Sequence, residues 1–416
     1  MRILVVLPMY GGSLPVGRYC AVALTELGHL VETFEAPEFY QSFQALKALR
    51  VTAERLEYLQ NSFLQVTSQA VLAKAETFGP DLVLSMAQAP LNRAALKRLR
   101  RDGVATAMWF VEDCRLFTYW RAFASYYDFF AVIQKESFLE QLKAMGGCQA
   151  FYLPLAMHPS IHRPLELDAV EKRRFGSDLS FLGAGYPNRR LAFRQLLSYN
   201  FKIWGTEWED EPLLAPCLQR QGERIPTDDA VRIFNASKIN LNLHSSIHTD
   251  KLVSGGDFVN PRTFELAGCR AFQLADRRSL LPDLFGENEL AVFENMEDLR
   301  EKIDYYLGDE AARQEMAERS WQRALAEHTY VRRMRTLLDF ISASRPDWPK
   351  KRVSSAFAAL GEAAASQMEQ LLLRLQLPPD ASFDDLVTAL RSQQGKLSPS
   401  ETAILFLDEW RKQYKR

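Results

Sequence analysis

The stretch Asp257-Phe-Val-Asn-Pro-Arg-Thr-Phe-Glu265-Leu-Ala-Gly-Cys-Arg-Ala-Phe-Gln-Leu-Ala-Asp276 sets two carboxylates eight residues apart around a helix start. Pro261 suits the first helical position, where its missing N–H costs nothing. Gly268 followed by the apolar run 271–274 reads as a helix end and then a buried strand. The spacing therefore predicts a short helix over 261–267 that leads into a strand of an α/β sheet. Unpaired amides at such a helix start, with Asn260, Arg262 and Thr263 beside them, make a ready anion site. Glu265, one turn in, is placed to reach a ligand hydroxyl. The alternative is an ordinary α/β loop and helix whose acids are simply solvated.

Outward from this stretch, apolar runs at 3–7, 30–34, 82–84, 105–111, 129–133 and 151–155 alternate with stretches of helical period, the pattern of a parallel α/β sheet. The first run leads through Gly11 and Gly12 into a helix, yet these two glycines are not the full dinucleotide fingerprint. They either let a ligand approach the backbone or merely allow a tight turn. Residues 38–78, without internal Pro or Gly, predict a long helix that is mostly packing surface. The run 105–111, which includes Trp109, ends in Glu112 and Asp113 at a strand's carboxyl end, the edge where open α/β sheets bind ligands. A loop acid pair bonded to Arg115 or Arg121 is the competing reading.

Prolines at 154, 159 and 164 break the chain into a linker. His158 and His162 flank Pro159, which spoils the helical face that metal ligation would need, and a hinge is favoured. Past the linker the opening pattern repeats: strand 179–182, glycines at Gly183 and Gly185, Arg189 and Arg190, then a helix. Strand 201–204 ends at Gly205, and strand 239–243 exits at His244.

These residues resemble the GT-B glycosyltransferases of the spore-maturation CgeB type and, more distantly, the large retaining group (family 4) marked by carboxylate, seven residues, carboxylate. Here Asp257 stands in the place of the usual first Glu. The resemblance implies an α/β fold of two Rossmann-like parallel-sheet domains facing a cleft: an acceptor domain at 1–156, a nucleotide-sugar donor domain with closing helices at 157–343, and a helical appendix at 344–416. It implies catalytic roles for Asp257, which meets the transferred sugar, and for Asp113. It places the donor on Glu265 (the ribose), Arg189, Arg190, Gly183, Gly205, Asn260, Arg262 and Thr263, with Gly11, Gly12, Glu112 and Trp109 at the acceptor or cleft. The implied reaction moves a sugar from a nucleotide-sugar, UDP-sugar foremost, to a protein, polymer or glycoconjugate, with retention and without metal or cofactor. The absence of an Asp-x-Asp triplet fits that expectation. The alternatives are a catalytically silent binding module and a nucleotide-sugar epimerase.

The remaining composition bounds the reading. With 416 residues, 47% apolar and 25% charged, the chain has material for two compact domains and a remainder. A net charge of −1 gives no global pull toward nucleic acid. Five scattered cysteines without Cys-x-x-Cys indicate neither a disulfide framework nor zinc, and no long apolar run suggests a membrane span. A cytoplasmic protein is expected. The appendix, punctuated by Pro378, Pro379 and Ser398, is predicted to form helices over 354–375, 382–392 and 398–414 and is a candidate for homo-oligomer or protein-partner contact, or a plain helical cap.

Overall fold

A computed structural model describes residues 1–247, 252–253, 256–349, 362–378, 381–393 and 395–414. Six strands, β1 (Arg2–Val6), β2 (Leu30–Phe34), β3 (Leu82–Met86), β4 (Ala105–Phe110), β5 (Phe129–Val132) and β6 (Gln149–Tyr152), form one sheet in the order β2-β1-β3-β4-β5-β6. Five more, β7 (Leu179–Leu182), β8 (Phe201–Trp204), β9 (Ile239–Asn242), β10 (Gln273–Asp276) and β11 (Ala291–Phe293), form a second in the order β11-β10-β9-β7-β8. β1 pairs in parallel with β2 and β3, β5 with β6, β7 with β8 and β9, and β10 with β9 and β11. The alternation of apolar runs and helical stretches thus gives two Rossmann-like parallel sheets of an α/β protein.

By backbone contact the chain divides into Met1–Ala107 with Leu338–Arg416, and Met108–Leu337, a boundary that falls within β4. In the first unit, β1 and β3 are wholly buried, as expected of parallel strands covered on both faces. Helix Ser13–Glu26 lies close on them: a Cβ at Gly17 would sit 2.5 Å from the Leu7 side chain and 2.8 Å from that of Met86. The single helix expected over 38–78 is instead interrupted. Short turns cover Ala36–Leu49, Arg50 takes a left-handed conformation (φ 50), and Thr52 starts a new helix, Ala53–Phe78, by accepting the Arg55 amide. The capping hydroxyl satisfies an amide that a continuous helix would have paired, so the break costs little.

The tail helices Glu362–Arg374, Phe383–Ser392 and Pro399–Tyr414 belong to this first unit, and 354–361, Pro379 and Asp380 lie outside the described residues. Their core of Leu371, Leu372, Leu377, Leu386, Leu390 and Ile404 packs with Leu30 of β2. Ser382 and Asp385 form a capping box, and the nearly buried Asp385 pairs with Arg2 of β1. Helix Pro399–Tyr414 leaves Phe406, Leu407 and Trp410 exposed. No helix among the described residues is long and apolar enough to cross a membrane.

In the second unit, the proline segment expected as a linker is packed in. His158 and His162 are buried, Met157 bridges Thr329, and Arg333 donates to the carbonyls of Pro154 (2.8 Å) and Leu155 (3.2 Å). Trp109 is also in the core, its indole N–H donating to the Leu153 carbonyl and its ring edge-on to Tyr330 at 6.1 Å.

Candidate functional site

In the second sheet the strand order reverses between β7 and β9, and open parallel sheets present ligand crevices at the carboxyl ends of strands beside such a reversal. The loops leaving these two strands are tied together there. Arg189, almost fully buried in helix Pro187–Phe193, donates from Nε and Nη2 to the Leu243 carbonyl (2.9 and 2.7 Å) and from Nη1 to that of Ala184 (2.9 Å). Burial brings its pKa down to about 10. Arg190 donates to the carbonyls of Gly185 and Glu207, each at 2.5 Å. Gly205, at φ +113, allows the β8 loop to touch the β7 loop, because a Cβ there would lie 2.5 Å from the Gly183 oxygen. Gly183, Arg189, Arg190 and Gly205 therefore do converge, with both arginines engaged in holding the two turns.

Helix Pro261–Gly268 forms where its proline and glycine place it. Asn260 caps it, its Oδ1 accepting the Thr263 amide (3.1 Å) while its own amide N–H goes to His244 Nε2 (2.9 Å). Since Nε2 accepts, the His244 proton is on Nδ1, which donates to Asp276 Oδ1 at 2.6 Å. Burial holds the His244 pKa down to about 4. Burial alone would raise Asp276, but His244 and Arg278 hold it below the ordinary carboxylate value. Arg278 Nε lies 3.2 Å from Asp276 Oδ2, an ion pair lacking hydrogen-bond alignment, with both side chains shielded from solvent. Glu265 is paired to Arg262 one turn back and stands 4.0 Å from His162 Nε2. At this helix start the Thr263 amide is thus taken by the cap and the Asn260 amide by His244, while Pro261 has no N–H to offer.

Asp257 is buried and accepts two backbone amides through Oδ2, from Lys135 (2.5 Å) and Glu136 (2.8 Å), while Gln134 Nε2 approaches Oδ1 at 3.5 Å. Gln134, at the exit of β5, also accepts the Cys114 amide (2.8 Å). One glutamine therefore links the Asp113 loop to Asp257. Within that loop Asp113 Oδ1 takes the Arg115 amide (2.8 Å) and Glu112 takes the Tyr119 hydroxyl (2.8 Å). Tyr186, on the β7 turn, and Arg278 both lie within electrostatic reach of Asp113. Asp113 and Asp257 are thereby gathered with the β7 and β10 exits. Gly11 and Gly12 lie in the first unit, where a Cβ at either would meet nothing within 4 Å. Gln134, Asp276 and Arg278 went unnoticed in the sequence, although each is a polar residue at or just past the carboxyl end of a strand, the signal that had drawn attention to Glu112 and Asp113.

Residues 188–339 match a family described as glycosyl transferase-like. The spore protein CgeB of Bacillus subtilis (strain 168) is 25% identical over 270 residues, spanning 62% of this chain and 82% of that protein. Among solved structures, a sucrose-phosphate synthase from Thermosynechococcus elongatus superposes with a TM-score of 0.58 at 12% identity, over 83% of this chain and 100% of the other. HepE of Anabaena, solved with UDP-glucose, gives 0.54 at 10% identity, over 82% and 99%. The structural likeness shows a GT-B fold, and the sequence likeness makes residues 188–339 similar to glycosyl transferase-like proteins and the chain similar to CgeB.

Proposed function

We propose that this chain moves a sugar from a nucleoside-diphosphate sugar, UDP-sugar first among them, to a hydroxyl-bearing protein, polymer or glycoconjugate. The observation that carries the reading is the meeting of Asp113, Gln134 and Asp257 with the loops at the strand-order reversal of the second sheet. A neighbour of the same fold was solved with UDP-glucose, which supports the donor class. Glu265 takes the ribose hydroxyls, its carboxylate already oriented by Arg262. Arg190, less buried than Arg189, meets the diphosphate while Arg189 braces the turn. Arg suits an anion through its planar fork, and in this reading the chain's own cations do the work of a metal. Asp257 Oδ1 meets a hydroxyl of the transferred sugar, and Asp113 orients the acceptor hydroxyl and takes its proton. The carboxylate spacing of the retaining group favours retention at the anomeric carbon. The tail, with its exposed Phe406, Leu407 and Trp410, is the segment where an acceptor protein or a second copy would contact the enzyme.

Calorimetric titration of the folded, metal-free protein with UDP-, GDP-, ADP- and dTDP-sugars tests the donor assignment. Saturable binding of one base class without divalent ion is expected. Binding that appears only with added divalent ion would overturn the metal-independent reading, and no binding by any donor would remove the transferase assignment itself.

A further inference from the structure

The first sheet carries a strand-order reversal of its own, between β1 and β3, the place where open α/β sheets take ligands. The strand exits there are tied together. Ser13, just past the β1 loop, donates its hydroxyl to the Ala87 carbonyl at the exit of β3 (2.9 Å), and the Leu7 amide bonds the Phe34 carbonyl of β2 (3.3 Å). On the β1 loop Tyr10 is 49% exposed, although its ring lies 4.8 Å from that of Tyr40 with 31° between the planes. Tyr40 is itself held in place: its hydroxyl accepts the Gln44 side-chain amide, and Phe39 beside it stacks on Phe34 at 5.6 Å. The fold thus backs one aromatic ring with another and leaves the first half exposed at a strand end. Gly12, two residues on, adds a second sign. Its φ of −71 suits any residue and a Cβ there would meet nothing within 4 Å, so neither backbone nor packing requires glycine.

We infer that this edge of the first unit binds a neutral pyranose ring stacked on Tyr10, and that the acceptor is accordingly a glycan or glycoconjugate rather than a bare protein side chain. A pyranose has a C–H face that packs on an aromatic ring and hydroxyls left over for the polar rim, and tyrosine offers an apolar face with a polar tip. The charges here do not favour an anion: Arg18 and Glu35 are spent on each other (3.1 and 2.8 Å), and Glu38, on the turn leading to Tyr40, is exposed. The inference rests on the transferase reading for calling that sugar the acceptor, while the binding itself requires no donor.

Saturation-transfer NMR on the full chain with maltotetraose, cellotetraose, mannotetraose and N-acetylchitotetraose, each with and without UDP, tests it. At least one tetrasaccharide should bind saturably. Whichever of Tyr10→Ala and Tyr10→Ser melts like the parent should weaken that binding at least about threefold, the loss of one stacking contact, while Tyr10→Phe retains it. Tyr58→Ala, at another exposed tyrosine of the same unit, should leave it unchanged. No binding by any of the four, equal affinity without the Tyr10 ring, loss in Tyr58→Ala, or displacement by excess UDP would each overturn the assignment. Failure of the transferase reading shows separately, as the absence of UDP-sugar binding in calorimetry.

Discussion

Glu265 illustrates how one side chain carries both a structural and a proposed ligand role. Its carboxylate is mostly shielded, paired with Arg262 and faced by His162, whose pKa burial lowers to about 4. A neutral imidazole there leaves Glu265 with a single cation, so part of its hydrogen-bonding capacity remains for a ribose diol. Glu265→Ala should weaken UDP-sugar binding by about 1–3 kcal/mol, roughly 5- to 150-fold, as expected when a buried hydroxyl pair loses its acceptor. Glu265→Gln keeps the volume and one acceptor and should lie between. Calorimetry on both, with melting curves to confirm folding, reads the effect, and unchanged affinity in the alanine variant would remove the ribose assignment. Trp109 and Arg189 show why residue type alone misleads. An aromatic at a strand's carboxyl end looks ready to stack on a sugar, but this sheet is covered on both faces and the ring is core. An arginine on a glycine turn looks ready for phosphate, but tertiary structure brings the Leu243 and Ala184 carbonyls to it.

Among the elements, helix Pro261–Gly268 was the most legible, because proline, capping residue and glycine all mark its ends locally. What fixes it in place was not legible. His244, Asn242 and Asp276 come from two other strand ends, and the Asp257 clamp uses backbone amides of 135–136, which leave no trace in residue identity. The cap offers a discriminating substitution. Asn260 Oδ1 accepts from Thr263 while its Nδ2 donates to Asn242 Oδ1 at 2.8 Å. Asn260→Ala should cost about 1 kcal/mol through the lost cap. Aspartate is as good a cap as asparagine on exposed helices, yet Asn260→Asp sets two acceptors face to face at Asn242 and should destabilise at least as much. Urea denaturation compares the two, and a neutral Asn260→Asp would show that Asn242 does not constrain this helix.

At the scale of the whole molecule, two features bear on stability, one in each unit. In the first unit Arg2 is sandwiched between the Phe78 ring (4.5 Å), the Phe78 carbonyl (2.7 Å to Nε) and Asp385 of the tail. The tail helices were predicted from capping residues and prolines, but their attachment to β1 through a single arginine, hundreds of residues away in sequence, has no local signature. Asp385→Ala leaves that guanidinium buried without its partner and should cost about 3 kcal/mol in denaturation; a loss under about 1 kcal/mol would mean the tail is held by its apolar contacts alone. In the second unit three histidines set the response to acid. His162, His244 and His328 each spend one ring nitrogen accepting an N–H, from His158, Asn260 and Arg333 respectively, so a second proton would point at a donor. Burial holds all three at about 4, against an ordinary 6.5. Between these values the unfolded chain binds the protons and the folded chain does not. Stability is therefore fully present above about pH 6.5 and declines as pH falls toward 4, by up to roughly 1.4 kcal/mol per pH unit for each histidine. Urea midpoints from pH 7.5 to 4.5 should be level at the upper end and drop below 6.5. His328→Gln, which retains a donor for the Leu284 carbonyl and an acceptor for Arg333, should flatten the slope by about one proton. Equal stability at pH 7.5 and 5 would show that these rings find room for the second proton, and the neutral bridges drawn for His244 and His328 would have to be abandoned.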